Sequence, residues 1–329
     1  MKTVPTVLTF KRFLALAAFV LTLTLTGTAL ANTVKITPLG GVKGEFCRFD
    51  RALILEDPNG TRLLYDAGRT VAGATDPRLG KIDGILVSHV HGDHLGDRHQ
   101  PAPNAGTCGK PDISVVAAPN SNSVNIMLAK KAKLVIGGEL NSFLSNKVES
   151  LGGNPKDVVL VRFGASATVG GVKITTVPAV HSNGLHPAFI PGELGTQMKS
   201  VGLTAYVGPP GGYVVTFTNG LVLYLSGDTG ITAEQDTVVR GHYKAKLVVM
   251  NIGDTFTTGP AEAAYVINEL VKPAAVIASH ANEVATENGK VIAGTRTELF
   301  RKATKVPVHI PLSEHTMEFN SNGKCTMGC

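Results

Sequence analysis

The stretch Ser88-His89-Val90-His91-Gly92-Asp93-His94 places three imidazoles and one carboxylate close together, directly after the apolar run Gly84-Ile85-Leu86-Val87. If the run continues as a strand to His91, alternate side chains of the stretch share one face. Gly92 then permits a turn that directs His94 to a second position. Imidazole and carboxylate groups at this density predict a metal site, in which one segment provides ligands to two adjacent positions.

The first 31 residues are predicted to be a signal peptide rather than part of the fold. Lys2, Lys11 and Arg12 precede an apolar run over residues 13–25, and Ala29-Leu30-Ala31 supplies the small residues that precede a cleavage site. The run is short for a transmembrane anchor, although an uncleaved anchor stays an alternative. We therefore expect a domain over residues 32–329 in a periplasmic or secreted protein, without stable membrane association after cleavage.

The charge of the chain argues against nucleic acid as a partner. The full sequence has 31 basic and 25 acidic side chains, a net charge of +6. Removal of residues 1–31 takes away three basic residues, which leaves 28 against 25, or +3. That excess is small, and the chain has no basic run. A small-molecule substrate is expected, and the oligomeric state stays open.

Four cysteines fit an oxidising compartment. They are Cys47, Cys108, Cys325 and Cys329, which allow three pairings. We favour Cys47 with Cys108, near the metal motif, and Cys325 with Cys329 in the tail, with free thiols as the alternative.

Two hairpins with the same order of strand, turn and strand predict an internal duplication. In the first, residues 52–57 turn through Pro58-Asn59-Gly60 into residues 62–68; in the second, residues 213–218 turn at Asn219-Gly220 into residues 221–230. Asn-Gly between apolar runs is a strong hairpin signal. Each second strand ends in an aspartate, Asp66 or Asp228, and a further strand follows each hairpin.

The remaining pattern alternates short β-rich runs with helical stretches, which predicts an α/β (α+β) fold. Two half-sheets packed face to face with helices on both outer faces accommodate this order. The expected strands are 34–38, 113–117, 134–136, 158–162, 173–178, 275–279 and 306–310. The expected helices are 121–131, 140–150, 232–240, 260–271 and 294–304.

The ends of predicted strands complete the metal site. His181 follows residues 172–180, His280 follows residues 274–279, and Asp228 ends the second hairpin. A site with two metals needs a bridging anion to offset their repulsion, and Asp228 can supply it. The other histidines are expected to be surface or packing residues: His99, His186, His242, His309 and His315.

Together the HxHxDH motif, the downstream ligands and the duplicated hairpins resemble the metallo-β-lactamase superfamily over residues 33–319. That resemblance implies a four-layer αββα sandwich. The stretch Asn251-Ile252-Gly253-Asp254-Thr255-Phe256-Thr257-Thr258-Gly259-Pro260-Ala261-Glu262-Ala263, followed by Lys272-Pro273, looks like the ascorbate-6-phosphate lactonase-like branch. The enzymes of that branch are cytosolic, whereas this chain carries an export signal, so the substrate stays open.

The resemblance also implies roles for individual residues. His89, His91 and His181 would hold one metal, and Asp93, His94 and His280 the other. Asp228 would bridge the two, Asp66 would support the ligands from behind, and Asp93 and Asp228 would be the catalytic carboxylates. Two divalent ions are expected, with Zn²⁺ favoured and Mn²⁺ or Fe²⁺ as alternatives.

These residues predict an exported binuclear hydrolase in which metal-bound hydroxide attacks a small ester, lactone or amide, β-lactams included. A phosphodiesterase and an iron-dependent sulfur oxygenase of the same fold are alternatives. A non-catalytic metal-binding protein is a third possibility.

The long connection over residues 182–212 carries only Glu193 and Lys199 as charges. It offers little to a phosphate, which would favour an Arg or Lys cluster, so a weakly polar substrate under a lid is one interpretation. Packing of its apolar residues onto the core is the other. Asp254, Asn282 and Glu283 are further candidates near the metals, with their roles left open.

Overall fold

A computed structural model describes residues 1–5 and 32–329. The predicted signal peptide therefore lies largely outside the described residues, and the described residues from 32 onwards lie within one compact unit. No helix among the described residues is long and apolar enough to cross a membrane.

Twenty-one strands and five α-helices make up the described chain. The first strands are β1 Val34–Pro38, β2 Leu53–Glu56, β3 Arg62–Tyr65, β4 Gly84–Leu86, β5 Arg98–His99, β6 Val115–Val116 and β7 Lys133–Ile136. The next are β8 Val158–Leu160, β9 Ser166–Val169, β10 Val172–Pro178, β11 Gly184–Leu185, β12 Ala205–Tyr206, β13 Gly211–Thr216 and β14 Val222–Leu225. The last are β15 Leu247–Asn251, β16 Ala275–Ser279, β17 Thr286–Glu287, β18 Lys290–Val291, β19 Val308–His309, β20 Met317–Phe319 and β21 Cys325–Met327.

The helices follow the predicted apolar periodicity with shifted ends. The α-helices are α1 Asn122–Lys130, α2 Leu140–Ser150, α3 Gly192–Ser200, α4 Pro260–Tyr265 and α5 Arg296–Ala303. Three π-helical segments span Gly92–Gly96, Gln235–His242 and Val266–Val271, and 3₁₀ turns span Pro155–Asp157 and Pro187–Phe189. The helix expected over 232–240 is thus a π-helix that begins three residues later, and residues 260–271 change from α to π at Val266.

The two large sheets repeat one topology, which agrees with the predicted duplication. The first has the order β21-β20-β1-β2-β3-β4-β7-β8 and the second β19-β16-β15-β14-β13-β10-β9. In each, an antiparallel hairpin, β2–β3 or β13–β14, continues into three parallel strands. Both hairpins turn at glycines in the left-handed region, Gly60 at φ 87° and Gly220 at φ 89°, where side chains are disfavoured.

Three apolar layers hold the sandwich together. Alternate residues of both sheets, such as Leu63, Leu86, Val215 and Leu223, form the layer between the sheets. The opposite faces pack against α1 and α2 in the first half and against α4, the following π-helix and α5 in the second. The predicted αββα architecture is confirmed.

Some predicted strands are shorter than expected. Residues 113–117 form only β6, which pairs with β5 in a separate two-stranded ribbon, and residues 306–310 form only β19. Both disulfides favoured from the sequence, Cys47–Cys108 and Cys325–Cys329, are present.

Candidate metal centre

The HxHxDH motif lies on a loop and a π-helical turn after β4. The expected extension of the strand to His91 is wrong, since β4 ends at Leu86. The backbone N–H of Ser88 donates to the Asp66 carboxylate at 2.9 Å, and that of Val90 donates to Asn183 Oδ1 at 3.0 Å. Side chains thus accept the hydrogen bonds of backbone N–H groups that a neighbouring strand would accept if β4 continued.

Asp66 organises the first half of the site from directly beneath it. It follows β3 with a φ of 41°, is fully buried, and accepts hydrogen bonds from the N–H and hydroxyl of Ser88. Its Oδ2 also lies 2.8 Å from Nδ1 of His94. A carboxylate at this position fixes the ring orientation and keeps the proton on Nδ1.

The second half of the chain adds three side chains, each after a strand of the second sheet. His181 follows β10, Asp228 follows β14, and His280 follows β16 with a φ of 51°. Since the ends of these strands lie beside the motif loop, the predicted residues from both halves meet in one place.

Asp228 lies at the centre of this cluster and is only 4% exposed. Its Oδ2 lies 3.1 Å from Nε2 of His280, 3.7 Å from that of His181 and 3.8 Å from that of His89. Its Oδ1 lies 3.3 Å from Nε2 of His94. One carboxylate therefore faces four imidazoles.

The donor atoms form three groups in which all ligand atoms lie within 4.8 Å of one another. These groups are His89, His91 and His181; His89, His94 and Asp228; and Asp93, His94 and His280. Although some of these atoms lie 3.1–3.3 Å apart, the buried Nε2 atoms of His89, His94 and His280 and Oδ1 of Asp228 make no hydrogen bond of suitable geometry among the described residues. Buried polar atoms are normally satisfied, so this donor set fits bound cations.

The electrostatics of the cluster favour a cation. Burial and neighbouring imidazoles hold the pKa of His89 well below its usual value, which keeps the ring in the neutral form that binds metal. Burial opposes a charge on His94 as well, but Asp228, Asp93 and Asp66 outweigh it and raise the pKa of His94 to about 10. The field at the centre is therefore negative.

Arg51 is a residue of the site that the sequence analysis missed. Its buried guanidinium lies 2.7 Å from Asp93 Oδ2 and donates to Asn282 Oδ1 at 2.8 Å. Although burial alone would raise the pKa of Asp93, Arg51 and the nearby imidazoles of His94 and His280 hold it well below its usual value. Arg51 stands alone before an apolar strand, so no motif marks it in the sequence.

A cavity of about 440 Å³ opens onto the cluster. His91, Asp93, His181, Asp228 and His280 line it. The rest of its wall comes from the segments around residues 48–51, 69, 253–256, 282 and 296, with Ser182. The reactive groups are thus open to a small molecule.

The three candidates left open have different roles. Asn282 lines the cavity and orients Arg51. Glu283 accepts from the N–H of Thr297 at the start of α5 at 3.1 Å, and Asp254 accepts from the N–H of Thr255 in its own loop at 2.7 Å. Only Asn282 therefore has a direct link to the cluster.

The other histidines make local contacts or, like His315, are exposed. His99 contacts the carbonyl of Gln100, His186 accepts from the N–H of Ala188, and His309 packs on Phe319. His242 packs on Tyr243.

The connection over residues 182–212 is anchored to the core at its two ends, and its middle, with α3, is largely exposed. Leu185, Phe189 and Val207 are buried in the layer beneath α1 and α2, and Ser182 is its one residue at the cavity. The lid interpretation is therefore not supported, and the charge of this segment says little about the substrate.

The fold and the centre agree with what comparisons with known proteins find. The beta-lactamase superfamily domain matches residues 61–281, which contain all seven predicted ligands. The chain therefore belongs to the metallo-β-lactamase superfamily, and the resemblance stated from the motifs is confirmed.

Relatives in that family are named metal-dependent hydrolases, which confirms the predicted enzyme class. A UPF0173 metal-dependent hydrolase of Thermodesulfovibrio yellowstonii is 30% identical over 243 residues, covering 72% of this chain and 78% of the relative. One from Cupriavidus necator is 32% identical over 236 residues, 68% of each chain. The lactonase-like branch stays a prediction.

Solved structures share the fold at lower identity. A metallo hydrolase of Ignicoccus hospitalis has a TM-score of 0.53 at 19% identity, covering 87% of this chain and 98% of that one. A metallo-beta-lactamase fold protein of Bacillus subtilis has a TM-score of 0.53 at 13% identity, covering 87% and 99%.

Proposed function

We propose that this chain is an exported hydrolase that uses two divalent metal ions to cleave a small ester, lactone or amide, β-lactams included. The observation that carries the proposal is the position of Asp228, whose two oxygens face four imidazole Nε2 atoms within 3.8 Å. A single carboxylate among that many nitrogen donors suits a bridge between two cations.

The donor groups suggest how the ligands divide. His89, His91 and His181 would hold one ion, Asp93, His94 and His280 the other, and Asp228 would contact both. When bound, two such ions, with zinc favoured over manganese or iron, supply a Lewis acid and a water molecule acidified towards a pKa of about 7.

The residues of the chain do the positioning. Asp66 keeps one proton of His94 on Nδ1, so a bound cation would displace only the proton on Nε2, the atom that faces the centre. Asp93 and Asp228 are the two carboxylates that line the cavity, so they orient a water molecule and the substrate there. Arg51 holds Asp93 in place through their 2.7 Å ion pair.

Export is supported by the sequence of the first 31 residues and by the cysteines. The described part of the chain has two disulfides and no free cysteine, as expected in the periplasm or outside the cell. Mass spectrometry of the protein from cell fractions would locate it, and a mature start near Asn32 is the expected result.

No observation favours the iron-dependent oxygenase or the phosphodiesterase. Likeness to a diiron β-hydroxylase of Streptomyces venezuelae, at 11% identity and a TM-score of 0.52, concerns the fold alone.

The test is a panel of esters, lactones and β-lactams assayed with the purified protein, before and after chelation and after metal is restored. We expect turnover that is lost on chelation and restored by a divalent metal. His91→Ala should abolish turnover but keep the fold, because His91 lies on a half-exposed loop outside the three apolar layers. Turnover that persists in His91→Ala would reject the proposal.

A further inference from the structure

The cavity beside the centre is rich in arginine. Arg48, Arg51, Arg69 and Arg296 all line it. They come from three segments that are far apart in the chain, so no local sequence pattern marks the cluster. Two of the four have strong ion pairs: Arg51 with Asp93, and Arg69 with Asp97 in a two-pronged contact at 2.8 and 2.9 Å.

The other two arginines retain charge for a ligand. Arg48 is exposed, lies over the Phe49 ring and takes part in no ion pair within the described part of the chain. Arg296 reaches Glu283 at only 3.7 Å, beyond hydrogen-bond distance, while Glu283 also accepts from the N–H of Thr297. Nη1 of Arg296 makes one long hydrogen bond, to the Ala281 carbonyl at 3.5 Å, which leaves its other N–H groups for a ligand. Two guanidinium groups at one cavity are therefore available to an anion.

The backbone that carries Arg48 is held firmly. Cys47 is joined to Cys108 by a disulfide, and the N–H of Arg48 donates to the Cys108 carbonyl at 3.4 Å. Arg51 donates to the Arg48 carbonyl at 3.3 Å, and Asp50 accepts from the N–H of Cys47 at 2.7 Å. Because this turn is already ordered, less conformational entropy is lost when its arginine binds a ligand.

Aromatic rings lie beside these cations. The guanidinium carbons of Arg48 and Arg69 lie 5.5 and 5.7 Å from the centroid of the Phe49 ring. Phe256 also lines the cavity and is 67% exposed. Its loop has two successive non-glycine residues at positive φ, Asp254 at 55° and Thr255 at 54°. Such strain is costly and is found at binding sites.

We propose that the substrate carries an oxyanion group, which Arg48 and Arg296 bind while Phe49 and Phe256 contact its apolar body. This inference rests on the proposed hydrolase function and replaces the weakly polar substrate inferred from residues 182–212. Guanidinium binds carboxylate and phosphate alike through paired N–H donors, so the shared chemistry is a planar or tetrahedral oxyanion.

The first test compares two esters of the same shape: the monomethyl ester of terephthalate, which is anionic, and its neutral carboxamide analogue. In the wild type, the ratio of their kcat/KM values should favour the anion and fall with added salt. Arg48→Gln and Arg296→Gln should each reduce that ratio about fivefold to tenfold, since the guanidiniums are partly solvated. Arg301→Gln, an exposed arginine on the same helix α5, is the matched control and should leave both rates unchanged.

The second test measures binding without turnover, using benzoate, phenyl phosphate and neutral benzamide with the metal-loaded protein in calorimetry. Binding of benzoate or phenyl phosphate that weakens in both arginine variants, but not in Arg301→Gln, supports the inference even if neither ester is hydrolysed. The more tightly bound of the two indicates which oxyanion is preferred. Hydrolysis with an unchanged ratio, or anion binding that is equal in all variants, would overturn the inference and leave the hydrolase proposal standing.

Discussion

Asp66 and His94 form a buried pair in which Asp66 Oδ2 lies 2.8 Å from Nδ1 of His94. Asp66 follows the first hairpin as Asp228 follows the second. The two aspartates differ in where they lie relative to the histidine rings. Asp66 lies behind a histidine ring, whereas Asp228 faces four of them. The duplication thus supplies one carboxylate to support the centre and one to occupy it.

Asp66→Asn should reduce turnover about 10–100-fold while both metals stay largely bound. The amide can place an N–H₂ group where His94 Nδ1 donates now, which would favour the tautomer with a proton on Nε2. Metal titration and kinetics measure the two effects. Asp157→Asn, which removes a surface partner of Lys133, is the control, and full activity in Asp66→Asn would contradict the role given to Asp66.

Arg51→Ala should lower the free energy of unfolding by about 2–4 kcal/mol, somewhat less than for a fully buried pair because Asp93 is partly exposed. The substitution leaves Asp93 and Asn282 without their partner. Denaturant unfolding measures the loss. Arg240→Ala, at the exposed pair with Asp236, should cost well under about 1 kcal/mol. Equal losses in the two variants would show that Arg51 does not organise the site.

The two disulfides should differ in their contribution to stability. Cys47 and Cys108 are 61 residues apart, whereas Cys325 and Cys329 are four apart. Chain entropy predicts a loss of about 4 kcal/mol when the first pair is replaced by serines and about 2 kcal/mol for the second. Denaturant unfolding of the two double variants gives the comparison, and a larger loss for the tail pair would contradict it.

Phe189→Ala tests whether residues 182–212 pack on the core. Phe189 is buried among residues of α1 and α2, so its truncation should cost about 3–5 kcal/mol of stability and leave metal content unchanged. Leu194→Ala, at a position 60% exposed, should cost about 0.5 kcal/mol or less. Similar small losses in both, with a change in substrate selectivity, would restore the lid interpretation.

The fold and the candidate ligands could be predicted because their signals come from residues that are neighbours in sequence. The Asn219-Gly220 turn, the alternating apolar strands and the HxHxDH stretch each depend on neighbouring residues. Arg51 and the other three arginines of the cavity were missed because they lie in three segments that only the folded sandwich brings together. The prediction of a strand to His91 was too long. β4 ends at Leu86, where the backbone turns to hydrogen-bond with Asp66, more than twenty residues away in sequence.

We propose that Asp228 bridges two metal ions, and metal analysis of the wild type and of Asp228→Asn is the measurement that decides this. We expect two divalent metals per wild-type chain. Asp228→Asn should weaken one of them and lose most of the rate, because the substitution removes a negative charge where two dications meet. Two tightly held metals in Asp228→Asn, or a wild-type chain that binds one metal or none, would contradict it.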